Sequence, residues 1–169
     1  MSETVTTRPM TAADLPQVSE LHATVFGPGR FTRTAYRVRE RAPGGTSQLT
    51  PLNRVAMQGA RMVAAINFTS IRIGGKAGAV LLGPLAVDPA FNGQGNGRRL
   101  LAESLEEAKA QGVRLVVLVG DEPYYGRFGF KRVPPGRITF PGPADPARIL
   151  AAQIEPGAAS EYQGVIEAI

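Results

Sequence analysis

The chain contains no cysteine, and its single histidine is His22. The absence of cysteine excludes disulfide bonds, thiolate zinc sites and cysteine nucleophiles. A single histidine also excludes most metal sites and catalytic arrangements that need paired imidazoles. Any chemistry at this protein therefore depends on other side chains and on the backbone.

Long apolar segments are absent as well. The longest apolar run, residues 77–87, contains Gly78, Gly83 and Pro84 and is far too short to span a bilayer. Residues 1–8 lack the apolar stretch that a signal peptide carries. We therefore expect a cytoplasmic protein without membrane contact. Its 169 residues are expected to form one domain, in which residues 134–169 follow the least regular pattern.

Lysine is scarce too, at positions 76, 109 and 131, so arginine supplies most of the formal net charge of +5. Arginine favours bidentate recognition of phosphate or carboxylate groups, which indicates an acidic ligand. Nucleic acid is not an expected partner, because this charge is small for a whole domain and no surface of aromatic and basic residues is evident.

Hydrophobic periodicity predicts a mixed α/β fold. Strands are predicted at residues 4–9, 54–58, 61–73, 76–87 and 113–119, with shorter pieces at 130–133, 137–140 and 148–154. Helices are predicted at residues 11–26, 32–41, 96–111 and 121–128, the second being stopped by Pro43-Gly44-Gly45. The order β-α-α-β-β-β-α-β-α-β-β describes a mixed sheet: an antiparallel meander and then a β-α-β-α-β core.

Three glycines at alternate positions precede the third helix, in Asn92-Gly93-Gln94-Gly95-Asn96-Gly97-Arg98. Such a loop lets backbone N–H groups converge on a phosphate at the positive end of the helix. A Walker loop would need Gly-Lys-Ser/Thr where Arg98-Arg99 stands. A dinucleotide-binding fingerprint would follow an early strand of a βαβ unit, whereas this loop follows a predicted antiparallel meander. We interpret the segment as a pyrophosphate-binding loop in preference to a flexible surface turn.

Two further segments are unusual. In Tyr124-Tyr125-Gly126-Arg127-Phe128-Gly129-Phe130, a buried strand leads into paired tyrosines, one of which could present its hydroxyl to a cleft as a general acid. Taken alone, such a pair is more often core packing. Gly83-Pro84 interrupts a strand, and because proline donates no ladder hydrogen bond, it predicts a bulge or a place where neighbouring strands part.

Together these segments resemble the GNAT superfamily of N-acetyltransferases, and specifically its YhbS-like branch. The glycine loop matches the family pattern Gln/Arg-x-x-Gly-x-Gly/Ala except at its first position, which is Asn92, and the tyrosine segment matches aromatic-Tyr-x-x-x-Gly-Phe after the fifth strand. The resemblance covers residues 4–133. It implies a GNAT-like mixed sheet with an acyl-CoA-binding core. It also implies transfer of an acetyl group from acetyl-CoA to a primary amine by direct attack in a ternary complex, with no metal.

The resemblance also implies roles for individual residues. The backbone of Leu85, Ala86 and Val87 would pair with the pantetheine arm, and the Leu85 amide would donate to the thioester carbonyl. Tyr125 falls on the family's general acid, which protonates the departing thiolate. Asn92, where the family has glutamine or arginine, would belong to the cofactor-binding loop, although its shorter amide is not expected to make a side-chain contact. The pyrophosphate would be cradled by Gly93, Gln94, Gly95, Asn96, Gly97 and Arg98.

Several alternatives stay open at the level of sequence. The chain could be a catalytically silent acyl-CoA-binding module, or it could use a longer acyl donor. The acceptor could be a small molecule or a protein, and the chain a monomer or a homodimer. Candidates for the general base are Asp121, Glu122 and His22, although the apolar neighbours of His22 favour a structural role.

Arg33, Arg37 and Arg41 recur at helical spacing along the second predicted helix and form one basic stripe. The stripe could recognise an acidic acceptor or an acidic carrier protein. A solvated helix face is the preferred interpretation.

Overall fold

The computed structural model of the chain describes residues 4–42 and 49–169, apart from the side chains of residues 30–32 and 36. The strands in these ranges are β1 (Val5–Pro9), β2 (Arg54–Gln58), β3 (Arg61–Ile73), β4 (Lys76–Val87), β5 (Leu115–Val119), β6 (Lys131–Arg132), β7 (Ile138–Thr139), β8 (Ile149–Gln153) and β9 (Gly164–Ala168). The helices are α1 (Leu15–Phe26), α2 (Thr34–Glu40), α3 (Asn96–Ala110) and α4 (Glu122–Tyr125).

The strands form one sheet in the order β1-β2-β3-β4-β5-β8-β6, with β9 paired to β3 and β7. Strands β1 to β4 are antiparallel, and β5 is parallel to β4 but antiparallel to β8. The predicted meander is confirmed at its predicted bounds. The turn between β3 and β4 uses Gly74 and Gly75, whose φ values of 57° and 83° lie in the left-handed region that favours glycine.

Helices cover both faces of this sheet. On one face, α3 buries Leu100 and Leu101 against a cluster that includes Phe68, Leu82 and Leu118. On the other face, α1 packs Val18 and Leu21 against β2, β3 and β4, and α2 adds the buried Val38. Each such aliphatic side chain contributes roughly 1.5–3 kcal/mol when fully buried. Within the described ranges, no helix is both long enough and apolar enough to cross a membrane.

One edge of β3 is completed by side chains. Strand β2 pairs with β3 only as far as Ile66, and β9 pairs with it only from Ile71. Between them, the Phe68 N–H donates to Asn53 Oδ1 at 3.1 Å, and Arg39 Nη1 donates to the Phe68 carbonyl at 3.4 Å. Both side chains are buried. Since buried backbone groups need hydrogen-bond partners, these contacts close the gap and attach α2 to the sheet.

The structure differs from the sequence-based expectation in three places. Strand β9 was not predicted, because its five residues gain their partners from the distant β3 and β7. The second helix begins later than expected, since residues 27–32 form a 3₁₀ helix before α2. Its predicted stop at residues 43–45 lies outside the described residues. The continuous apolar pattern of residues 113–119 predicts a central strand with parallel neighbours, but β5 is parallel only to β4 and antiparallel to β8.

An ion pair fixes the start of α1 to β1. The Arg8 guanidinium donates to both carboxylate oxygens of Asp14 at 2.7 Å, and the Thr11 N–H donates to Asp14 Oδ2 at 2.8 Å. These hydrogen bonds, led by those from Arg8, lower the pKa of Asp14 to about 2. A carboxyl group whose pKa is lower in the folded state stabilises the fold above its unfolded-state pKa, and the stabilisation is lost as the pH falls.

We therefore expect Asp14→Asn to reduce the free energy of unfolding by roughly 1–2 kcal/mol near pH 6, a value that allows for the exposed Arg8 side of the pair. The difference from the parent should shrink between pH 4 and pH 2, where the parent carboxylate becomes protonated. Urea unfolding at several pH values measures this difference. A difference that does not change with pH would contradict the role assigned to the Asp14 charge.

Candidate active site

The sheet opens between β4 and β5. The two strands pair only where residues 79–81 of β4 face residues 115–117 of β5. Beyond that point β4 remains paired with β3 as far as Val87, and β5 remains paired with β8 as far as Val119. The β3–β4 register shifts opposite Gly83 and Pro84, whose peptide bond is cis. The break predicted at Gly83-Pro84 is therefore confirmed, and it leaves a V-shaped gap between two well-anchored strands.

Backbone groups of β4 face this gap. The Asp88 N–H donates to the Val63 carbonyl at 2.8 Å, which sets the phase of the antiparallel ladder. Because hydrogen-bonding direction alternates along a strand, Ala86 bonds to β3, whereas Leu85 and Val87 point their N–H and C=O groups into the gap. Of the three residues predicted to pair with a ligand, two present free backbone groups and Ala86 does not.

A cavity of about 220 Å³ occupies the gap, and we call it the cleft cavity. It is bounded by β4, by the end of β5, by the residues at the start of α2 and by two residues from further along the chain. Its lining consists of residues 33–35 and 81–85 with Leu118, Val119, Tyr125 and Arg148.

Tyr125 presents its ring to the cleft cavity from α4. The ring contacts Tyr124 and Phe130 edge-on, with centroid distances of 4.8 Å and 5.8 Å, and packs against the α3-side core. Burial raises the pKa of Tyr125 to about 12, although the positive charges of Arg33 and Arg148 oppose the shift. The phenol therefore keeps its proton throughout the neutral range, as a proton donor requires.

Gly120, which sequence reasoning missed, allows Tyr125 to take this position. A Cβ atom at Gly120 would lie 2.6 Å from Tyr125 Cε2, closer than such atoms approach, and 3.0 Å from Leu118 Cδ1, which is a tight contact. Only glycine lets the ring lie against the backbone that leaves β5. The available signal was a glycine directly between a buried strand and the tyrosine segment.

The glycine loop forms a second cavity, of about 330 Å³, which we call the loop cavity. Gly93 and Gly95 have φ values of 79° and 81°, so both adopt the left-handed conformation that favours glycine. Gly95 is the N-cap of the fifteen-residue helix α3, whose first N–H groups are available to an anion. Gln94 does not line this cavity; its lining is Val87, Phe91, Asn92, Gly93, Gly95, Asn96, Gly97, Arg98, Tyr124 and Arg127.

Tyr124 faces away from the cleft cavity and lines the loop cavity instead. Its hydroxyl lies 3.5 Å from the position that a Cβ atom on Gly97 would take, and its ring lines the loop cavity. Consecutive residues of α4 thus face two different cavities, which have no lining residue in common.

None of the three candidate bases lines the cleft cavity. Glu122 accepts a hydrogen bond from the Arg132 N–H at 3.2 Å, and Asp121 lies 3.5 Å from Arg148 Nε. His22 is buried on α1, where its Nε2 lies 3.3 Å from the Asn67 side-chain amide. The structural role favoured for His22 agrees with this position.

Asn67, on the paired strand β3, supports the irregular part of β4 at Gly83 and Pro84. Its side-chain amide donates to the Pro84 carbonyl at 3.3 Å, and its Oδ1 accepts from the Asn53 amide at 3.3 Å. Asn67 is almost fully buried within the apolar β3. An amide at that position was the sequence signal for this support, and our sequence reasoning did not use it.

The three arginines of the predicted stripe have different surroundings in the structure. Arg33 and Arg41 are the caps of α2, and only Arg33 lines the cleft cavity. Arg37 is exposed, and its Nη1 lies 3.6 Å from the position of a Cβ atom on Gly142. Arg41 lines a separate groove beside β9.

Comparisons with known proteins agree with these features. Residues 6–133 match the family described as acetyltransferase (GNAT) domain. The chain is 44% identical over 50 residues to the uncharacterized N-acetyltransferase YhbS of Escherichia coli K12, a match that covers 30% of each chain. It is 29% identical over 122 residues to the uncharacterized N-acetyltransferase YjhQ of the same strain, covering 70% of this chain and 65% of YjhQ.

Solved structures show the same architecture. The E. coli GNAT family N-acetyltransferase YhbS, in complex with CoA, superposes with a TM-score of 0.83 at 23% identity, covering 100% of this chain and 92% of that chain. A GNAT family acetyltransferase from Brucella melitensis, in complex with acetyl-CoA, gives a TM-score of 0.71 at 25% identity, covering 98% and 96%.

The contact between Gly120 and Tyr125 yields a prediction that needs no assay of activity. Gly120→Ala should push the ring away from the β5 backbone and reduce its burial, so the pKa of Tyr125 should fall from about 12 toward the usual 10. The pH dependence of tyrosinate absorbance measures this, with Tyr125→Phe identifying the Tyr125 contribution.

Gly126→Ala is the matched control, because a Cβ atom there meets only Glu122 Cγ at an ordinary 3.9 Å. It should leave the titration unchanged. A parent-like titration of Gly120→Ala would show that Gly120 does not position the ring.

Proposed function

The chain belongs to the GNAT family of acetyltransferases, and on that premise we propose that it transfers an acetyl group from acetyl-CoA to a primary amine by direct attack in a ternary complex. The observation that carries the proposal is the gap between β4 and β5, where free backbone groups and a protonated tyrosine border one cavity. The loop cavity supplies the second requirement, a place for the phosphates of CoA.

The fit of acetyl-CoA to these residues rests on the two cavities. The N–H groups of the glycine loop and the start of α3, with the charge of Arg98, would hold the pyrophosphate. The Leu85 and Val87 backbone groups would extend the sheet by pairing with the amides of the pantetheine arm, much as an added strand would. The thioester would then lie in the cleft cavity beside Tyr125.

The reaction requires one bond to form and one to break. The neutral amine attacks the thioester carbonyl carbon, the new C–N bond forms, and the C–S bond breaks. The Leu85 N–H would donate to the carbonyl oxygen as negative charge develops there. Tyr125 would give its proton to the departing sulfur, the attacking nitrogen would lose its proton to solvent, and solvent would return a proton to the Tyr125 phenolate. The products are an N-acetylated amine and CoA with a free thiol.

The role of the glycine loop in binding CoA can be tested by substitution. We expect Gly95→Val to weaken CoA binding at least tenfold, about 1.4 kcal/mol. A branched side chain would strain the left-handed backbone at this position and would keep the loop backbone from approaching the pyrophosphate. Isothermal titration with CoA measures the dissociation constant.

Gly112→Val is the matched control for strain, since Gly112 lies past the other end of α3 with a φ of 76°. It should reduce stability without changing CoA affinity. If Gly95→Val binds CoA as tightly as the parent, the pyrophosphate does not use this loop.

The role of Tyr125 as proton donor can also be tested by substitution. General-acid catalysis contributes ~10²–10⁴-fold, and a thiolate is a better leaving group than an alkoxide, so Tyr125→Phe should lower kcat by about 10² while CoA affinity changes little. Release of the CoA thiol in the presence of amines measures the rate.

Tyr124→Phe removes the neighbouring hydroxyl, which faces the loop cavity, and should retain most of kcat. Equal kcat for Tyr125→Phe and the parent, with chemistry shown to be rate-limiting, would assign the proton to water. CoA binding without thiol release from acetyl-CoA or a longer acyl-CoA, for any amine, would instead indicate a silent binding module.

A further inference from the structure

Two arginines stand on opposite walls of the cleft cavity. Arg33 immediately precedes α2, which packs against β4, and Arg148 immediately precedes β8, which pairs with β5. Both residues are exposed, so their guanidinium groups are accessible to a ligand from solvent. Among the described residues that line this cavity there is no acidic side chain, so its walls carry two positive charges.

Neither guanidinium is held in a close ion pair by the described residues. Arg33 lies over the Phe26 ring at 4.2 Å, which orients the group without using its N–H donors, and no carboxylate pairs with it in the described part of the chain. Arg148 has a loose contact of 3.5 Å with Asp121, whose side chain is 75% exposed and therefore strongly screened by water. Both residues keep donors that can bind an anion.

These charges do not belong to the phosphate site. The loop cavity has its own arginines, Arg98 and Arg127, and shares no lining residue with the cleft cavity. Arg33 approaches the gap with α2, on the sheet face opposite α3, and a Cβ atom on Gly83 would lie only 2.9 Å from Ala35 Cβ. Arg33 therefore borders the gap from the side that the glycine loop does not occupy.

Two fixed positive charges restrict which amines can enter. A simple alkylammonium ion or a diamine would be repelled, whereas a molecule that also carries an anionic group would gain charge-assisted hydrogen bonds. The same charges favour the neutral form of a nearby amine, which is the form that attacks. This effect reduces the need for a base in a cavity where none of the candidate bases lies.

We propose that the acceptor is a small primary amine that also carries a carboxylate or phosphate group, and that Arg33 and Arg148 bind this anionic group while the nitrogen lies beside the thioester. This inference rests on the proposed function. The cleft cavity of about 220 Å³ would hold the thioester as well as the acceptor, so the acceptor that it admits is small.

The experiment compares matched acceptors with acetyl-CoA by thiol release. One series has ω-amino carboxylates, the second the corresponding neutral amides, the third aminoalkyl phosphates and the fourth diamines, with rates corrected for the fraction of neutral amine. We expect kcat/KM to be about tenfold or more higher for an anionic series than for the amides. The comparison of the first and third series distinguishes carboxylate from phosphate.

Variants connect this preference to the two arginines. Arg33→Gln and Arg148→Gln should each reduce the ratio of anionic to amide acceptors, and the double variant should bring it close to one. Arg37→Gln removes an exposed charge from the same helix, outside the cleft cavity, and should leave the ratio unchanged.

The possible outcomes distinguish a failure of this inference from a failure of the proposed acetyl transfer on which it rests. Equal or better use of neutral amines or diamines would overturn the anionic acceptor and leave acetyl transfer intact. A ratio that survives the double variant would also overturn it. CoA binding without transfer to any series would overturn the proposed function and this inference together.

Discussion

The site depends on one constraint: β4 keeps its hydrogen bonds to β3 after it has lost those to β5 at Leu81. Backbone groups inside a sheet are costly to leave without partners, so a strand normally pairs on both sides or lies at an edge. Here β4 becomes an edge in the middle of the sheet. The bulge at Gly83-Pro84 and the Asn67 amide that binds the Pro84 carbonyl hold the strand in that position. The gap is therefore held by contacts within the protein itself.

Around this gap, neighbouring residues serve different purposes. Tyr124 and Tyr125 are adjacent in the short helix α4, yet one lines the loop cavity and the other the cleft cavity. Charge is divided in the same way, with Arg98 and Arg127 at the first cavity and Arg33 and Arg148 at the second. Burial raises the pKa of both tyrosines, and at Tyr125 it outweighs the two nearby positive charges of Arg33 and Arg148.

Local sequence signals predicted a large part of this arrangement. The bounds of β2, β3 and β4 follow from strand periodicity and from the Gly74-Gly75 turn, because a hairpin is determined by residues close together in the chain. The strand break and the position of the glycine loop also follow from local residues. What sequence could not give depends on distant contacts. Strand β9, the support from Asn67, the space left by Gly120 and the approach of Arg148 each require partners that only the folded sheet brings near.

The side-chain hydrogen bonds that complete the edge of β3 have a consequence for the entropy of ligand binding. Arg39 ties α2 to the Phe68 carbonyl, and Asn53 holds the adjacent N–H, so the helix beside the cleft cavity is bonded to the sheet interior as well as packed on its surface. A wall that is already ordered loses little conformational freedom when a ligand arrives. The entropic cost of association therefore falls mainly on the incoming molecule, and a short, rigid one would bear the least of it.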